Sequence, residues 1–446
     1  MYRITSLFTV ILLWRSFVVQ AQVDTMSYTF NLNDCIQYAL THQHDMVNAG
    51  LDKAYYYEKI KESRGKLFPH ADINGNFQDN LKLATSLIPD IANGRYDVKI
   101  PVQFGTKYSS SISGQVNQTI FNSDYFLGLK ASKVYGSLGE KSYTRTAIET
   151  RVAVTKAYYA VLVNEENIRL ITANQLQLKK TMEDTKARYE VGVAERIDVD
   201  RIMVSYNNVV TQMDNQQRLL AYSLELLKFQ VGLPAEATLQ LKETVKDFPP
   251  EQGLKDTTDY LVHDRIEYSQ QLTQIDLNRL SLKSKQLSFL PSLSAFVNYG
   301  FNYFSTQFSD LYKKGYGSSA LGLTLAFPLF SGTERIHQVK EEKITLQKSL
   351  NDLDYLGQQI KLEVKNAFTQ YQNNMALLNT QKNNITLTQG IYDRIVLKFE
   401  QGVSTSLDVI SAESELKQAQ SDYINALLNA LVSKIELDRA MGKIKE

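Results

Sequence analysis

The sequence predicts a mostly α-helical protein with a membrane β-barrel portion, built from a duplicated unit of helix, strand, strand, long helix, turn and helix. Three observations predict this fold class. The chain contains an internal repeat, and short segments of it alternate between apolar and polar residues. Residues 102–233 and 329–446 hold no proline, which permits very long uninterrupted helices.

The first residues are typical of a secretory signal peptide. Arg3 is positively charged, the segment Ile4–Leu13 is largely apolar, and Val19 and Ala21 place small residues before a cleavage site. The chain after residue 21 has no stretch of 18 apolar residues, so no transmembrane helix is expected. The sequence therefore predicts an exported protein.

An internal repeat covers most of the remaining chain. Residues 188–199 (RYEVGVAERIDV) align with residues 398–409 (KFEQGVSTSLDV) at an offset of 210, and five of the twelve positions are identical. Further upstream the offset is 222, where Pro69 pairs with Pro291. The predicted divisions are 1–21 for the signal peptide, 22–233 for the first repeat, 234–257 for a linker or side element, and 258–446 for the second repeat.

Four segments show the period of two expected of strands, at about residues 67–78, 108–121, 289–304 and 318–330. Residues 289–330 also contain 11 aromatic residues in 42, as the interfacial girdle of a membrane-spanning sheet would. The alternative is that these strands form the edge of a soluble β-sandwich and do not span a membrane. Four strands cannot close a barrel, and lipid does not tolerate an open sheet edge. If these strands span a membrane, the chain must therefore oligomerise.

Helices are predicted on both sides of each strand pair. Residues 32–66 and 258–287 are amphipathic, and Asn31 or Asn33 is a candidate cap of the first. After the strands, long helical pairs are predicted over about 125–231 and 333–441, each reversing at a glycine. Thr333–Lys398 would span about 100 Å as one helix. Helices of this length in soluble proteins are usually coiled coils.

The composition offers little material for catalysis. One Cys and five scattered His leave no disulfide framework and no evident metal cluster. The net charge of +1 shows no basic footprint for nucleic acid. We therefore expect no enzymatic activity, no cofactor and no nucleic-acid partner.

The repeated motifs resemble a known family. Arg188-Tyr189 with Gly192, and Lys398-Phe399 with Gly402, are each followed by Asp-Val six residues after the glycine. These segments resemble the two periplasmic tip turns of the TolC-type outer-membrane efflux proteins. Residues 327–332 (FPLFSG) resemble that family's strand-to-helix junction, and residues 32–40 (LNDCIQYAL) resemble its first helix. The resemblance covers essentially the whole chain after residue 21.

The resemblance implies a homotrimer in the cell outer membrane, with a twelve-stranded barrel in the lipid and a twelve-helix tunnel extending through the periplasm. It implies the passive exit duct of a tripartite efflux or type I secretion system, gated at its periplasmic tip. The implied partners are outer-membrane lipid, a periplasmic adaptor protein and an inner-membrane pump. The sequence does not identify the transported substrate, because selectivity in such systems lies largely in the pump. A non-conducting trimeric coiled-coil protein of the cell surface is the alternative function.

The resemblance also predicts a gate. Asp408 falls on the family's first acidic gate position, where three carboxylates around a narrow axis would favour a bound cation. The second acidic position holds Ser411. Asp198 matches the acid that latches neighbouring helices in the family. For both Asp198 and Asp408, capping of the helix that follows the turn is the alternative role.

The usual form of the family's latch is not expected in this sequence. The Tyr and Arg that pair with the latching acid in the family are replaced by Phe399 and Ser404. Arg196 and Arg201 are alternative partners. The tips are also the predicted adaptor contact, because by the resemblance they lie farthest from the outer membrane. The residues predicted for that contact are Arg188, Tyr189, Gly192, Val193, Lys398, Phe399, Gly402 and Val403.

Overall fold

A computed structural model describes residues 26–91, 94–248 and 260–445. The predicted signal peptide and residues 249–257 of the predicted linker lie outside these ranges. The described residues fall into two compact units. The tip unit comprises the described parts of Met1–Gln43, Ala153–Pro249 and Gln381–Leu428. The sheet unit comprises those of His44–Val152, Pro250–Thr380 and Asn429–Glu446.

Most of the described residues are helical. The α-helices are α1 (Leu32–His42), α2 (His44–Gly65), α3 (Ser123–Glu190), α4 (Arg196–Val231), α5 (Ile266–Leu287), α6 (Glu334–Glu400) and α7 (Ser406–Ala440). Helix α3 has 68 residues and α6 has 67, so each is about 100 Å long at the usual rise per residue. None of the helices within the described ranges is both long and apolar enough to cross a membrane.

The strands within the described ranges form three separate sheets. They are β1 (Ser27–Phe30), β2 (His70–Asp79), β3 (Ala84–Asp90), β4 (Arg95–Phe104), β5 (Tyr108–Phe121), β6 (Thr238–Leu241), β7 (Ser292–Ser305) and β8 (Gly315–Ala326). The largest sheet belongs to the sheet unit and has the order β2-β5-β7-β8, with antiparallel neighbours throughout. One hairpin comes from each repeat, and β5 pairs with β7 where the repeats meet.

The register of this sheet separates an apolar face from a polar face. One row across all four strands is apolar and consists of Ala71, Val116, Val297 and Leu321. The adjacent row faces the other side, because successive residues of a strand alternate. That row consists of Asp72, Gln115, Asn298 and Ala320. Phe296, the exception to the alternation, lies on the polar side, where its ring covers Gly322.

The strand ends differ from the predicted ends for a local reason. Strands β2 and β7 begin just after Pro69 and Pro291, and β8 ends at Ala326, before Pro328, rather than near residue 330. Proline lacks the N–H that a ladder requires, so it marks the limits of these strands. The polar stretch between β2 and β5 contains a further hairpin, β3–β4, which the sequence analysis did not predict.

The first predicted helix, residues 32–66, is interrupted at Gln43. The backbone of Gln43 is extended, with φ −65° and ψ 136°, and separates α1 from α2. Gly232, at the end of α4, lies so close that a Cβ there would be 2.8 Å from the backbone of Gln43. This tertiary contact accounts for a break that helical periodicity does not reveal. The second predicted helix begins at Ile266 rather than 258, after a short 3₁₀ turn at Val262–Asp264.

In the tip unit, a small side element joins the chain's start to the end of the first repeat. Strand β1 pairs in parallel with β6, so that Ser27 lies opposite Thr238. The Glu243 carboxylate accepts hydrogen bonds from the backbone N–H of Leu32 (2.9 Å) and from the hydroxyl of Tyr158 (2.8 Å). Asn31 is the N-cap of α1.

Candidate functional site at the two tip turns

The two tip turns have the same backbone. In the first, the N–H of Gly192 donates to the carbonyl of Tyr189 at 3.0 Å, and the N–H of Val193 donates to that of Arg188 at 2.9 Å. In the second, Gly402 and Val403 donate at 3.0 and 2.9 Å to the carbonyls of the equivalent residues, Phe399 and Lys398. This pair of bonds is a Schellman motif, which needs a residue with positive φ after the helix. Gly192 (φ 80°) and Gly402 (φ 77°) supply it.

Both acids of the predicted gate cap the helix that follows their turn. The Asp198 carboxylate accepts from the backbone N–H of Glu195 at 3.3 Å, at the start of α4. The Asp408 carboxylate accepts from the backbone N–H of Thr405 at 2.8 Å, at the start of α7. An acid three residues after the N-cap satisfies a donor that has no partner within the helix. The alternative role is thus observed for both residues, and a gate role stays a prediction.

Asp408 is exposed and receives further bonds from its own turn. The hydroxyls of Thr405 and Ser404 donate to its Oδ2 at 2.8 and 3.0 Å. The backbone N–H of Thr405, followed by these hydroxyls, lowers the pKa of Asp408 below its usual value. The carboxylate is therefore held in its charged form. Ser411 is also exposed, one helical turn further along α7.

Asp198 connects the two tips. The hydroxyl of Ser406, a buried residue in the first turn of α7, donates to Asp198 Oδ1 at 2.5 Å. Arg196, one of the alternative partners considered above, instead bonds to Asp200 at 3.0 Å. Ser406 was not among the predicted site residues, because nothing local to residues 404–408 indicates which of their hydroxyls faces another helix.

Arg188 makes a second connection between the tips. Its guanidinium donates to the carbonyl of Phe399 at 3.1 Å and also to that of Glu400, at the end of α6. A cation at a helix C-terminus is favoured by the exposed carbonyl groups there. The guanidinium of Arg188, which was predicted to contact the adaptor, therefore donates hydrogen bonds within its own chain. Lys398, its counterpart, is exposed.

The aromatic residues of the two tips differ in burial. Tyr189 is 40% exposed, whereas Phe399 is 9% exposed and packs in an apolar cluster. The other buried members of that cluster are Ile202, Tyr392, Val396, Val409, Ala412 and Leu416. The ring of Phe399 is thus enclosed by its own chain, so only Tyr189 of the pair has a solvent-exposed ring.

Each tip exposes apolar side chains to solvent. Val193 and Val403 are 74% and 75% exposed. Ile197 and Leu407, in the first turns of α4 and α7, are also exposed and were not among the predicted contact residues. The repeat alignment places them at equivalent positions and could have identified them together. In the described ranges, no group of three or more His, Cys, Asp or Glu residues is arranged to hold a metal ion.

Comparisons with known proteins agree with the duplicated fold. The family described as "Outer membrane efflux protein" matches residues 266–443. Outer membrane protein TolC of Salmonella enteritidis is 21% identical over 430 residues, which is 95% of this chain and 84% of that protein. The alkaline protease secretion protein AprF of Pseudomonas aeruginosa is 22% identical over 330 residues, covering 72% of this chain and 68% of its own.

This chain is therefore similar to the outer membrane efflux proteins, through its second repeat by the family model and through 95% of its length by TolC. These matches confirm the resemblance that the tip, junction and first-helix motifs predicted, together with an outer-membrane location and a conduit function. The structure of the outer membrane protein VceC from Vibrio cholerae has the same fold. It superposes with a TM-score of 0.70 at 17% identity and covers 92% of this chain and 96% of that one.

Proposed function

We propose that the protein is the outer-membrane exit duct of a tripartite efflux or type I secretion system, assembled as a homotrimer and gated at its tips. The observation that carries this proposal is the four-stranded sheet, which has one apolar face, one polar face and two open edges. An apolar face in contact with lipid and a polar face lining a water-filled interior are what a conducting barrel requires.

The open edges explain the need for three copies. Among the residues that the structure describes, strands β2 and β8 each have a neighbour on one side only. An unpaired edge is not tolerated in hydrocarbon, because its N–H and C=O groups have no water to bond. Pairing of β8 with β2 of the next copy satisfies both edges, and three chains of four strands give a barrel of twelve, within the size range of membrane barrels.

The exposed apolar residues at the tips suit an adaptor protein. Val193, Ile197, Val403 and Leu407 are solvent-exposed in one chain. An exposed apolar patch with a polar surround is typical of a protein interaction site. The tips then lie at the end of a periplasmic extension, and an inner-membrane pump supplies the energy for transport. AprF is named for protease secretion, so an exported protein and a small effluxed compound are both candidate cargoes.

Two adjacent residues of β8 test the orientation of the sheet. Leu321 belongs to the apolar row and Ala320 to the polar row. We expect Leu321→Lys to cost about 2–4 kcal/mol, because it places a charge in lipid, and to reduce the yield of folded trimer. The matched variant Ala320→Lys should fold and alter conductance. The yield of heat-resistant trimer in isolated outer membranes measures the first effect. Equal yields for the two variants would contradict the assignment of the faces.

The channel itself is tested with the purified protein in a planar lipid bilayer, with its mass measured in parallel. A trimer that gives small, stable, cation-selective openings supports an exit duct that is mostly closed at rest. A trimer that never conducts, even when Asp198 and Asp408 are both replaced by Asn, favours the non-conducting coiled-coil protein. A monomer that does not insert into lipid rejects both.

A further inference from the structure

Three polar side chains are buried within the apolar core of the tip unit. Glu413 of α7 is 7% exposed, Ser205 of α4 is 6% exposed and Tyr392 of α6 is 2% exposed. The apolar cluster around Phe399, defined above, includes Tyr392 itself. It also includes Ala412, which directly precedes Glu413, and Ile202, which lies three residues before Ser205 on α4. Charged and polar groups are costly at such a place unless they are hydrogen-bonded, so each needs an explanation.

Glu413 bonds across the two helical hairpins of the tip. The hydroxyl of Ser205 donates to Glu413 Oε2 at 3.0 Å, which joins α7 of the second repeat to α4 of the first. Hydrogen bonds to an ionised group are among the stronger ones, and burial strengthens them further. This bond therefore helps to hold the second hairpin against the first.

Tyr392 has a hydroxyl with no role in this arrangement. Its Oη is buried and has no hydrogen-bond partner among the described residues. Because one chain already encloses it, a neighbouring copy cannot reach it without a rearrangement. Burial raises the pKa of Tyr392 most, and the negative charges of Glu413 and then Asp393 raise it further. A carboxylate with one bond can accept more, so Glu413 is a natural acceptor for this hydroxyl.

The first repeat carries apolar residues at both equivalent positions, and one of them packs in the core. At the offset of 210, the positions of Tyr392 and Glu413 are occupied by Met182 and Met203. Met182 packs against the cluster around Phe399, whereas Met203 is 39% exposed. Methionine fills irregular gaps well, so packing alone would also be served by a methionine at the position of Tyr392, and a buried acid at the position of Glu413 has no counterpart in the first repeat. The buried polar pair is confined to the hairpin that carries Asp408.

We propose that Glu413 is a two-position latch: in the closed tip it accepts the hydroxyl of Ser205 and holds α7 to α4, and in the open tip it accepts the hydroxyl of Tyr392 within its own hairpin. This deepens the proposed function and rests on it. Movement of α7 away from α4 breaks the bond to Ser205 and would leave a buried carboxylate without a donor. Tyr392 replaces that donor, so the open tip is reached without an unpaired buried charge.

The latch predicts opposite effects for its two donors. Ser205→Ala removes the donor of the closed tip, so the open probability in a planar bilayer should rise about ten-fold or more. Tyr392→Phe removes the donor of the open tip and should lower the open probability by a similar factor. Thr185→Val is the matched control, because the Thr185 hydroxyl is equally buried but bonds to Thr181 of its own helix.

A background variant shows whether both effects act through the carboxylate. In Glu413→Met, which places the first-repeat residue at this position, Ser205→Ala and Tyr392→Phe should have no further effect on the open probability. Glu413→Gln keeps an acceptor and should retain the opposite responses at reduced size. Changes of the same sign for the two donors, or changes no larger than that of Thr185→Val, overturn the latch. Loss of packing alone would give the same sign.

Hydrogen exchange tests the latch independently of conduction. In the closed protein, Ser205→Ala should increase exchange of the backbone amides in the first two turns of α7, whereas Tyr392→Phe should not. If neither the wild type nor any variant conducts, the proposed function fails, and hydrogen exchange alone then shows whether the latch exists. Unchanged exchange in Ser205→Ala overturns it.

Discussion

At the first tip the ring of Tyr189 is 40% exposed, whereas at the second tip the ring of Phe399, at the equivalent position, is 9% exposed. The backbone of the two turns is nevertheless the same, with a glycine of positive φ and matching hydrogen bonds. The difference arises around the turns, because residues of the second hairpin and Ile202 of α4 together enclose Phe399. The two repeats have thus kept the same turn but differ in the packing around it. The aromatic residue is exposed to solvent in the first repeat and enclosed in the second.

The largest expected difference concerns these two rings. Phe399→Ala leaves a cavity in a packed cluster and should lower the free energy of unfolding of the tip by about 3–5 kcal/mol. Tyr189→Ala removes an exposed ring and should change it by no more than about 0.5 kcal/mol. Hydrogen exchange of the backbone amides in the last turns of α3 and α6 measures both. Equal losses would show that the two tips are packed alike.

The turn glycines should behave equally. Gly192→Ala and Gly402→Ala should each cost about 1–2 kcal/mol, because a side chain is disfavoured at positive φ. No atom lies within 4 Å of the position that an added Cβ would take at either glycine, so backbone strain alone sets the cost. The same exchange measurement applies, at the amides that follow each turn. A loss at only one turn would mean that the turns differ in more than their side chains.

The buried and exposed acids of the second hairpin should respond to pH with opposite signs. Burial raises the pKa of Glu413 above its ordinary value of 4.5, although the bond from Ser205 and the charge of Lys417 oppose this. Glu413 therefore contributes its full stabilisation below pH 4.5, and this contribution is lost as the pH rises through the raised pKa. The donors of Asp408 lower its pKa below 3.8, so its contribution is lost only as the pH falls through that lowered value.

Tip stability measured against pH separates the two acids. The groups that act on Glu413 are Ser205 from α4 and Lys417 of α7, and Glu413 in turn raises the pKa of Tyr392 from α6. The free energy of opening of α7, from hydrogen exchange, should fall as the pH rises through the raised pKa. This step should be absent in Glu413→Gln, which does not titrate. A step of the same size in the variant would assign it to another group.

The smallest expected effect on stability comes from the two capping acids, and only one of them should alter conduction. Asp408→Asn and Asp198→Asn each keep an oxygen that can cap the helix, so folding should change little. If Asp408 lines the pore, its variant should lower the preference for cations, and Asp198→Asn should not. The reversal potential under a salt gradient measures this preference. An unchanged value for Asp408→Asn would remove Asp408 from the pore.

The repeat alignment contained more information on the candidate site than its motifs did. The motifs indicate Gly192, Gly402, Asp198 and Asp408, because a turn glycine and a capping acid act within a few residues of their position. The connections made by Arg188 and Ser406 join residues more than 200 positions apart, and no local pattern reports them. The two methionines replaced by Tyr392 and Glu413 were visible in the alignment as a change from apolar to polar residues. That change identifies candidates for a role beyond packing.

The sequence by itself determined the duplicated order of elements, the alternation that gives the strands two faces, and the glycine turns between long helices. These features follow from periodicity and backbone preference, which act over a few residues. The tertiary structure alone decided that α1 ends at Gln43, that β1 pairs with β6, and that Phe399 is enclosed while Tyr189 is not. It also decided which groups donate hydrogen bonds to Asp198 and Asp408. Such outcomes depend on which distant surfaces pack together, and burial and close approach act only once the chain has brought them into contact.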